Sequence, residues 1–182
     1  GTEITLSEGQ AHYLRHVLRL GPGAAMHLFN GRDGEWSARL ASSGKKTATA
    51  AVGERLRAQA AEPQVTLIFA PLKRGPIDYL VEKSTELGAS CLQPVTTLRA
   101  VAQRVNEDRL LANAREAAEQ CGRLSIPEVR PSVALDALLD AWPDHQTIAF
   151  CDERGGLPML TCLLGAPALP AAILIGPEGG FD

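Results

Sequence analysis

The chain has 182 residues, of which 45% are hydrophobic and 21% charged, and its formal net charge is −3. That balance is ordinary for a globular protein, and the length suits one large domain or two small ones. No apolar run approaches the roughly 20 residues that cross a bilayer, and no charged start leads into an apolar core, so neither a span nor a secretory leader is expected.

Ile4 and Leu6 alternate as in a strand. Ser7, with Gln10 three residues on, forms a capping box, and Ala11, Leu14, Val17 and Leu18 then recur at helical spacing until Gly21-Pro22-Gly23. Residues 26–29 and 35–40 read as two strands joined by the turn Asn30-Gly31-Arg32-Asp33-Gly34, and residues 47–52 as another. Residues 1–60 are therefore expected to form a small β-rich domain with one helix, and residues 55–64 a linker.

From Val65 the rhythm changes to alternating strands and helices. Residues 65–70 form an apolar strand. Pro76 suits the first turn of a helix and Gly88 its end. Residues 91–95 make the next strand. Asn106 caps a helix whose first turn holds Glu107 and Asp108 and whose stop is Gly122. Residues 133–142 read as helical, and 147–151 and 172–175 as buried strands. Alternation of this kind implies a mainly parallel sheet over residues 65–182.

Charge is uneven along the chain. Residues 1–60 hold 8 Lys/Arg against 5 Asp/Glu, and the remainder holds 10 against 16. The excess of cations in the first part hints at an anionic partner. Cys91, Cys121, Cys151 and Cys162 form no C-x-x-C pair, and the four histidines are not spaced to join them around zinc. No metal site is expected, and the thiols read as reduced in a cytoplasmic protein.

Four constellations carry possible chemistry. His12, Arg15, His16 and Arg19 share one face of the first helix, with Arg32 on the nearby turn extending it. This is either a solvated face or a phosphate-tracking surface. Lys73 and Arg74 follow the strand at 65–70, where two cations suit an anionic ligand or simply solubility. Gln120 and Arg123 lie at the end of the helix that Gly122 stops, where an Arg also answers the helix dipole. Lastly Gly176-Pro177-Glu178-Gly179-Gly180 follows the strand at 172–175. It is neither a dinucleotide fingerprint nor a P-loop, yet glycines at a strand end let the backbone approach a ligand. Because such a loop needs something packed behind it, the chain is expected to lack a C-terminal segment, and its start at Gly1 leaves room for an absent N-terminal piece.

Three segments occur together: Leu80-Val81-Glu82-Lys83-Ser84-Thr85-Glu86-Leu87-Gly88, then Glu116-Ala117-Ala118-Glu119-Gln120-Cys121-Gly122-Arg123, then Leu174-Ile175-Gly176-Pro177-Glu178-Gly179-Gly180-Phe181. With them the chain resembles the RsmE family of bacterial small-subunit ribosomal RNA methyltransferases. The stretch from His12 to Arg19 resembles that family's PUA-like, RNA-binding barrel. The resemblance implies an α/β fold of the SPOUT class, with a trefoil-knotted parallel-sheet domain at 65–182, incomplete here, after a PUA-like β-barrel at 1–60. It implies transfer of methyl from S-adenosylmethionine to N3 of a uridine in 16S ribosomal RNA by a cytoplasmic homodimer. It places Gly176, Pro177, Glu178, Gly179, Gly180 and Glu153 at the cofactor, and His12, Arg15, His16, Arg19, Arg32, Lys73, Arg74 and Gln120 toward RNA. Arg123 would stabilise charge on the uridine oxygens, and Glu178 is the candidate base by position. Two rival readings are a non-catalytic RNA-binding or ribosome-assembly protein, and a knotted methyltransferase acting on transfer RNA.

Overall fold

A computed structural model describes residues 2–44, 46–73, 75–99, 105–152, 154–165, 171–177 and 180. The chain divides into two compact units, Gly1–Ala61 and Glu62–Asp182.

The first unit is an antiparallel sheet in the order β1-β4-β3-β2, built from β1 (Glu3–Leu6), β2 (Ala25–Phe29), β3 (Glu35–Ser43) and β4 (Ala48–Arg57). β4 runs five residues further than the strand expected at 47–52 and takes in the start of the segment read as a linker. Its far end pairs with β3, as Glu35 faces Arg57 in register, and the Glu35 carboxylate accepts from the Arg57 guanidinium at 2.5 Å. The β2–β3 turn is locked by Asn30, whose side-chain oxygen accepts from the backbone N–H groups of Arg32 and Asp33 at 3.0 and 2.8 Å. Gly34 closes this turn with φ +86, and a Cβ there would lie 2.2 Å from the Arg57 carbonyl oxygen. No other residue fits.

The first helix starts as expected. The Ser7 hydroxyl accepts from the Gln10 N–H, and the Gln10 side chain accepts from the Ser7 N–H. Only Glu8–His12 is α-helical, however; this is α1. Residues Tyr13–Val17 widen into a π-helical turn, with the Leu18 N–H donating to the Tyr13 carbonyl at 3.0 Å. Hydrophobic spacing does not register such a widening, because residues three and four apart stay neighbours in both forms. Ala11 and Leu14 pack onto Leu6, Ala38, Leu40, Ala48 and Ala50 to make the core of this unit.

The second unit is a parallel sheet in the order β7-β6-β5-β10-β9, with β8 paired to β6. The strands are β5 (Thr66–Phe69), β6 (Cys91–Thr96), β7 (Glu128–Val129), β8 (Val133–Ala134), β9 (Ile148–Cys151) and β10 (Ala172–Ile175). α2 (Pro76–Glu86) and α3 (Glu107–Cys121) begin and end at the expected signals: Pro76 at the start of α2, and the Asn106 side chain capping the Arg109 N–H of α3 at 3.0 Å. Leu67, Phe69, Ile77, Val81, Leu92, Leu110 and Ala114 form the core between the sheet and these helices. The helix expected at 133–142 is shorter: residues 133 and 134 pair with β6, and α4 covers only Leu135–Asp140. α5 (Met159–Gly165) and the two-residue strands β7 and β8 lie in stretches where the sequence has no clear period.

Candidate functional site

The strand order fixes where a ligand can sit. After β5 the chain builds β6 and β7 on one side of it, and then returns to place β9 and β10 on the other. The connections therefore diverge between β5 and β10, and open parallel sheets bind ligands in the crevice beyond the carboxyl ends of such strands. In register, Ile175 faces Phe69 on one side and Cys151 on the other. The described residues that leave this edge are 70–73 after β5, 176, 177 and 180 after β10, and 152 and 154 after β9.

The glycine-rich loop emerges from the middle of that edge. Pro177 is buried and Gly176 half-buried. Gly180 is buried, has φ +73, and its N–H donates to the Pro177 carbonyl at 2.9 Å. The loop is thus a tight turn whose left-handed residue needs glycine. Lys73 is exposed on the segment from β5 to α2, and its carbonyl accepts from the Ile77 N–H at 3.2 Å. On the β9 side, the Asp152 carboxylate accepts from the backbone N–H and guanidinium of Arg154, both at 3.0 Å. Those hydrogen bonds hold its pKa below the usual carboxylate value. Arg74, Glu153, Glu178 and Gly179, all singled out above, lie outside the described residues. Among the described residues no group of His, Cys, Asp and Glu is arranged to hold a metal ion.

Gln120 and Arg123 do not share this edge. α3 ends beside the points where β5 and β6 begin, so both residues sit at the amino end of the sheet. Gln120 is exposed there. The Arg123 side chain keeps only 9% of its exposure, and its donors are all engaged. Nε and Nη2 donate to the Glu62 carboxylate at 2.9 and 2.6 Å, and Nη1 donates to the carbonyls of Thr85 and Ala89 at 2.9 and 2.8 Å. The cation joins the start of the unit to the C-terminus of α2, where unpaired carbonyls attract it. Within one chain, the expectation that Arg123 stabilises charge beside the glycine loop is corrected by this geometry. Nothing in the sequence marked Glu62 as its partner, since sixty-one positions separate the two.

In the first unit His12, Arg15, His16 and Arg19 are all exposed. The rings of His12 and His16 lie 4.6 Å apart, tilted by 35°. Arg32 is exposed too, but its guanidinium donates to Asp33 at 2.9 Å, so part of its charge is answered locally.

A family model for an RNA methyltransferase domain matches residues 60–182. The chain belongs to the RNA methyltransferase family. A second model, for the PUA domain of RNA methyltransferases, matches residues 6–53. Among similar proteins, ribosomal RNA small subunit methyltransferase E of Rickettsia conorii is 29% identical over 96% of this chain and 72% of its own length. The protein of the same name from Synechocystis is 33% identical over 98% of this chain, which spans 60% of that protein. A crystal structure of ribosomal RNA small subunit methyltransferase E from Neisseria gonorrhoeae, bound to S-adenosylmethionine, superposes with a TM-score of 0.84 at 26% identity, covering all of this chain and 77% of that one. These matches bear out the RsmE-type SPOUT fold expected from the three motifs and the PUA-like module expected from His12 to Arg19. No described helix is long and apolar enough to cross a membrane.

Proposed function

We propose that this protein transfers the methyl group of S-adenosylmethionine to N3 of a uridine in small-subunit (16S) ribosomal RNA, in the cytoplasm. One observation carries the reading: the tight glycine turn at Gly176–Gly180 opens from the divergence of β5 and β10, in a domain matched to RNA methyltransferases. The residues fit the cofactor. A turn with a left-handed glycine and a buried proline offers backbone groups at close range and no side chain in the way. Gly176, Pro177 and Gly180 would hold it, with Glu178, Gly179 and Glu153 from the same two loops.

The bound cofactor supplies an electrophilic methyl, which leaves the protein to position reactants and to manage charge. N3 is on the Watson–Crick edge, so the uridine must be unpaired or extruded when it meets the turn. Its N3 proton must leave, and Glu178 is the candidate acceptor by its place in the loop. Lys73 is an exposed cation on the edge that carries the turn, and we assign it the negative charge that develops on the uridine oxygens. Arg123 keeps a positioning role through the α2 and α3 ends that it ties. His12, Arg15, His16, Arg19 and Arg32 track the RNA backbone, and Gln120 and Arg74 extend the RNA contact. We further assign a homodimer built through the second unit, supported by Leu157, Leu160 and Leu164, which are exposed by 72, 67 and 80%.

Incubating the protein with methyl-labelled S-adenosylmethionine and small ribosomal subunits, followed by nuclease digestion and chromatography, tests the reading. Label in N3-methyluridine is the expected result. Label in transfer RNA alone, or binding of ribosomal RNA without label, would favour one or other of the rival readings.

A further inference from the structure

Helices usually end on a left-handed residue, and glycine takes that slot because it carries no Cβ. Two helices of this chain follow the rule. α2 is closed by Gly88 at φ +96 and α3 by Gly122 at φ +69. The first helix does not. Its last helical residue is followed by Leu18 and then by Arg19, whose φ is +55. Arg19 is the sole non-glycine with positive φ among the described residues. A glycine is available two positions on, at Gly21, but it is not the one that turns left-handed.

The backbone around Arg19 is held from both sides. The π-helical turn closes through the Leu18 N–H, and the Leu20 N–H reaches back to the Leu14 carbonyl at 2.8 Å while its side chain packs into the core. The surroundings impose the conformation, and a side chain in it costs stability. No structural return is visible. Arg19 is exposed and makes no hydrogen bond or ion pair among the described residues. Its charge faces solvent on the same short segment as the exposed Arg15, His12 and His16. The left-handed φ of Arg19 takes its Cβ off the spiral that a continued right-handed helix would follow.

We propose that Arg19 occupies a glycine slot because its side chain, aimed by the π-helical turn, contacts the sugar–phosphate backbone of RNA, and that the fold is less stable for it. The inference rests on the RNA-binding reading of the first unit and adds a stability trade at one position.

The test uses the full chain with Arg19→Gly, Arg19→Ala and Arg19→Lys. Stability is read from urea unfolding, and binding from the fluorescence anisotropy of a labelled fragment of small-subunit ribosomal RNA. Arg19→Gly should fold with an equilibrium constant about two- to tenfold above that of Arg19→Ala, reversing the usual order of these residues in helices. Both should bind RNA several-fold more weakly than the unaltered chain, with a log–log salt slope lower by about 0.7–0.9, while Arg19→Lys keeps the slope. A Gly variant no more stable than the Ala variant would overturn the strain. Unchanged affinity and slope in both would overturn the contact while leaving RNA binding by the unit intact. An unaltered chain that fails to bind the RNA would remove the underlying reading and this inference with it.

Discussion

Arg123 shows how a single residue can look catalytic in a motif and act as a tie in the fold. Glu62 is subject to opposing effects: burial raises its pKa and the hydrogen bond from Arg123 lowers it, with a net fall below the ordinary 4.5. A carboxylate whose folded-state pKa is depressed adds stability above its unfolded pKa, and loses it as pH falls through the folded value. Glu62→Gln should therefore lower stability at pH 7 and flatten its decline in acid below about pH 4.5. Glu62→Ala should cost about 2–3 kcal/mol, less than a fully buried pair because the Glu62 side chain keeps 28% of its exposure. Urea titrations across pH 3 to 8 check both. At the other edge of the sheet, Gly180→Val would put a branched side chain at φ +73 in a buried turn. We expect it to abolish S-adenosylmethionine binding in a calorimetric titration, with the far-ultraviolet dichroism of the remainder retained. Full cofactor affinity in that variant would remove the turn from the site.

Elements were legible where their signals are local and chemical. Asn106, Gly122, Pro76 and Gly88 bound two helices to within two residues of the observed ends. The apolar runs at β5, β6 and β10 are buried strands because the parallel sheet is covered on both faces. The rest fails for stated reasons. β7 and β8 are two residues long and exist only through pairing with β6, which no period can reveal. The π-helical turn keeps the apolar spacing of a helix. The Glu62–Arg123 tie depends on tertiary closure. The tight packing of α2 on α3 is likewise a matter of residue size: Ala114 and Ala118 are fully buried in α3, and Asp78 of α2 accepts from Asn113 at 2.8 Å and from Arg109. Ala114→Leu should push the helices apart and cost about 1–3 kcal/mol. Asp78→Ala should cost less, because that cluster is only part-buried. Thermal unfolding of the two variants ranks them.

At the scale of the molecule, the two units have opposite charge balance, and the proposed roles divide between them. The unit from Gly1 to Ala61 carries the cationic stripe, and the unit from Glu62 onward carries the glycine turn. Arg15→Ala should weaken ribosomal RNA binding and lower its salt slope by about 0.7–0.9, with S-adenosylmethionine affinity unchanged. A matched loss of cofactor affinity would mean that the two functions are not separable. Light scattering at micromolar concentration should give the mass of a dimer, and a monomer there would remove the assignment of the second unit's apolar face.

The sheet order also sets a timetable. In the first unit β2 pairs with β3 and β3 with β4, and β1 then pairs with β4, so every strand it needs has been made by Arg57 and the unit can close early. The crevice between β5 and β10 joins strands from opposite ends of the second unit. As the chain leaves the ribosome, β5 must wait for everything between them to be made before its second neighbour arrives. The surface proposed to bind RNA is therefore finished well before the edge proposed to hold the cofactor. A nascent chain arrested before Ala172 should hold RNA and transfer nothing.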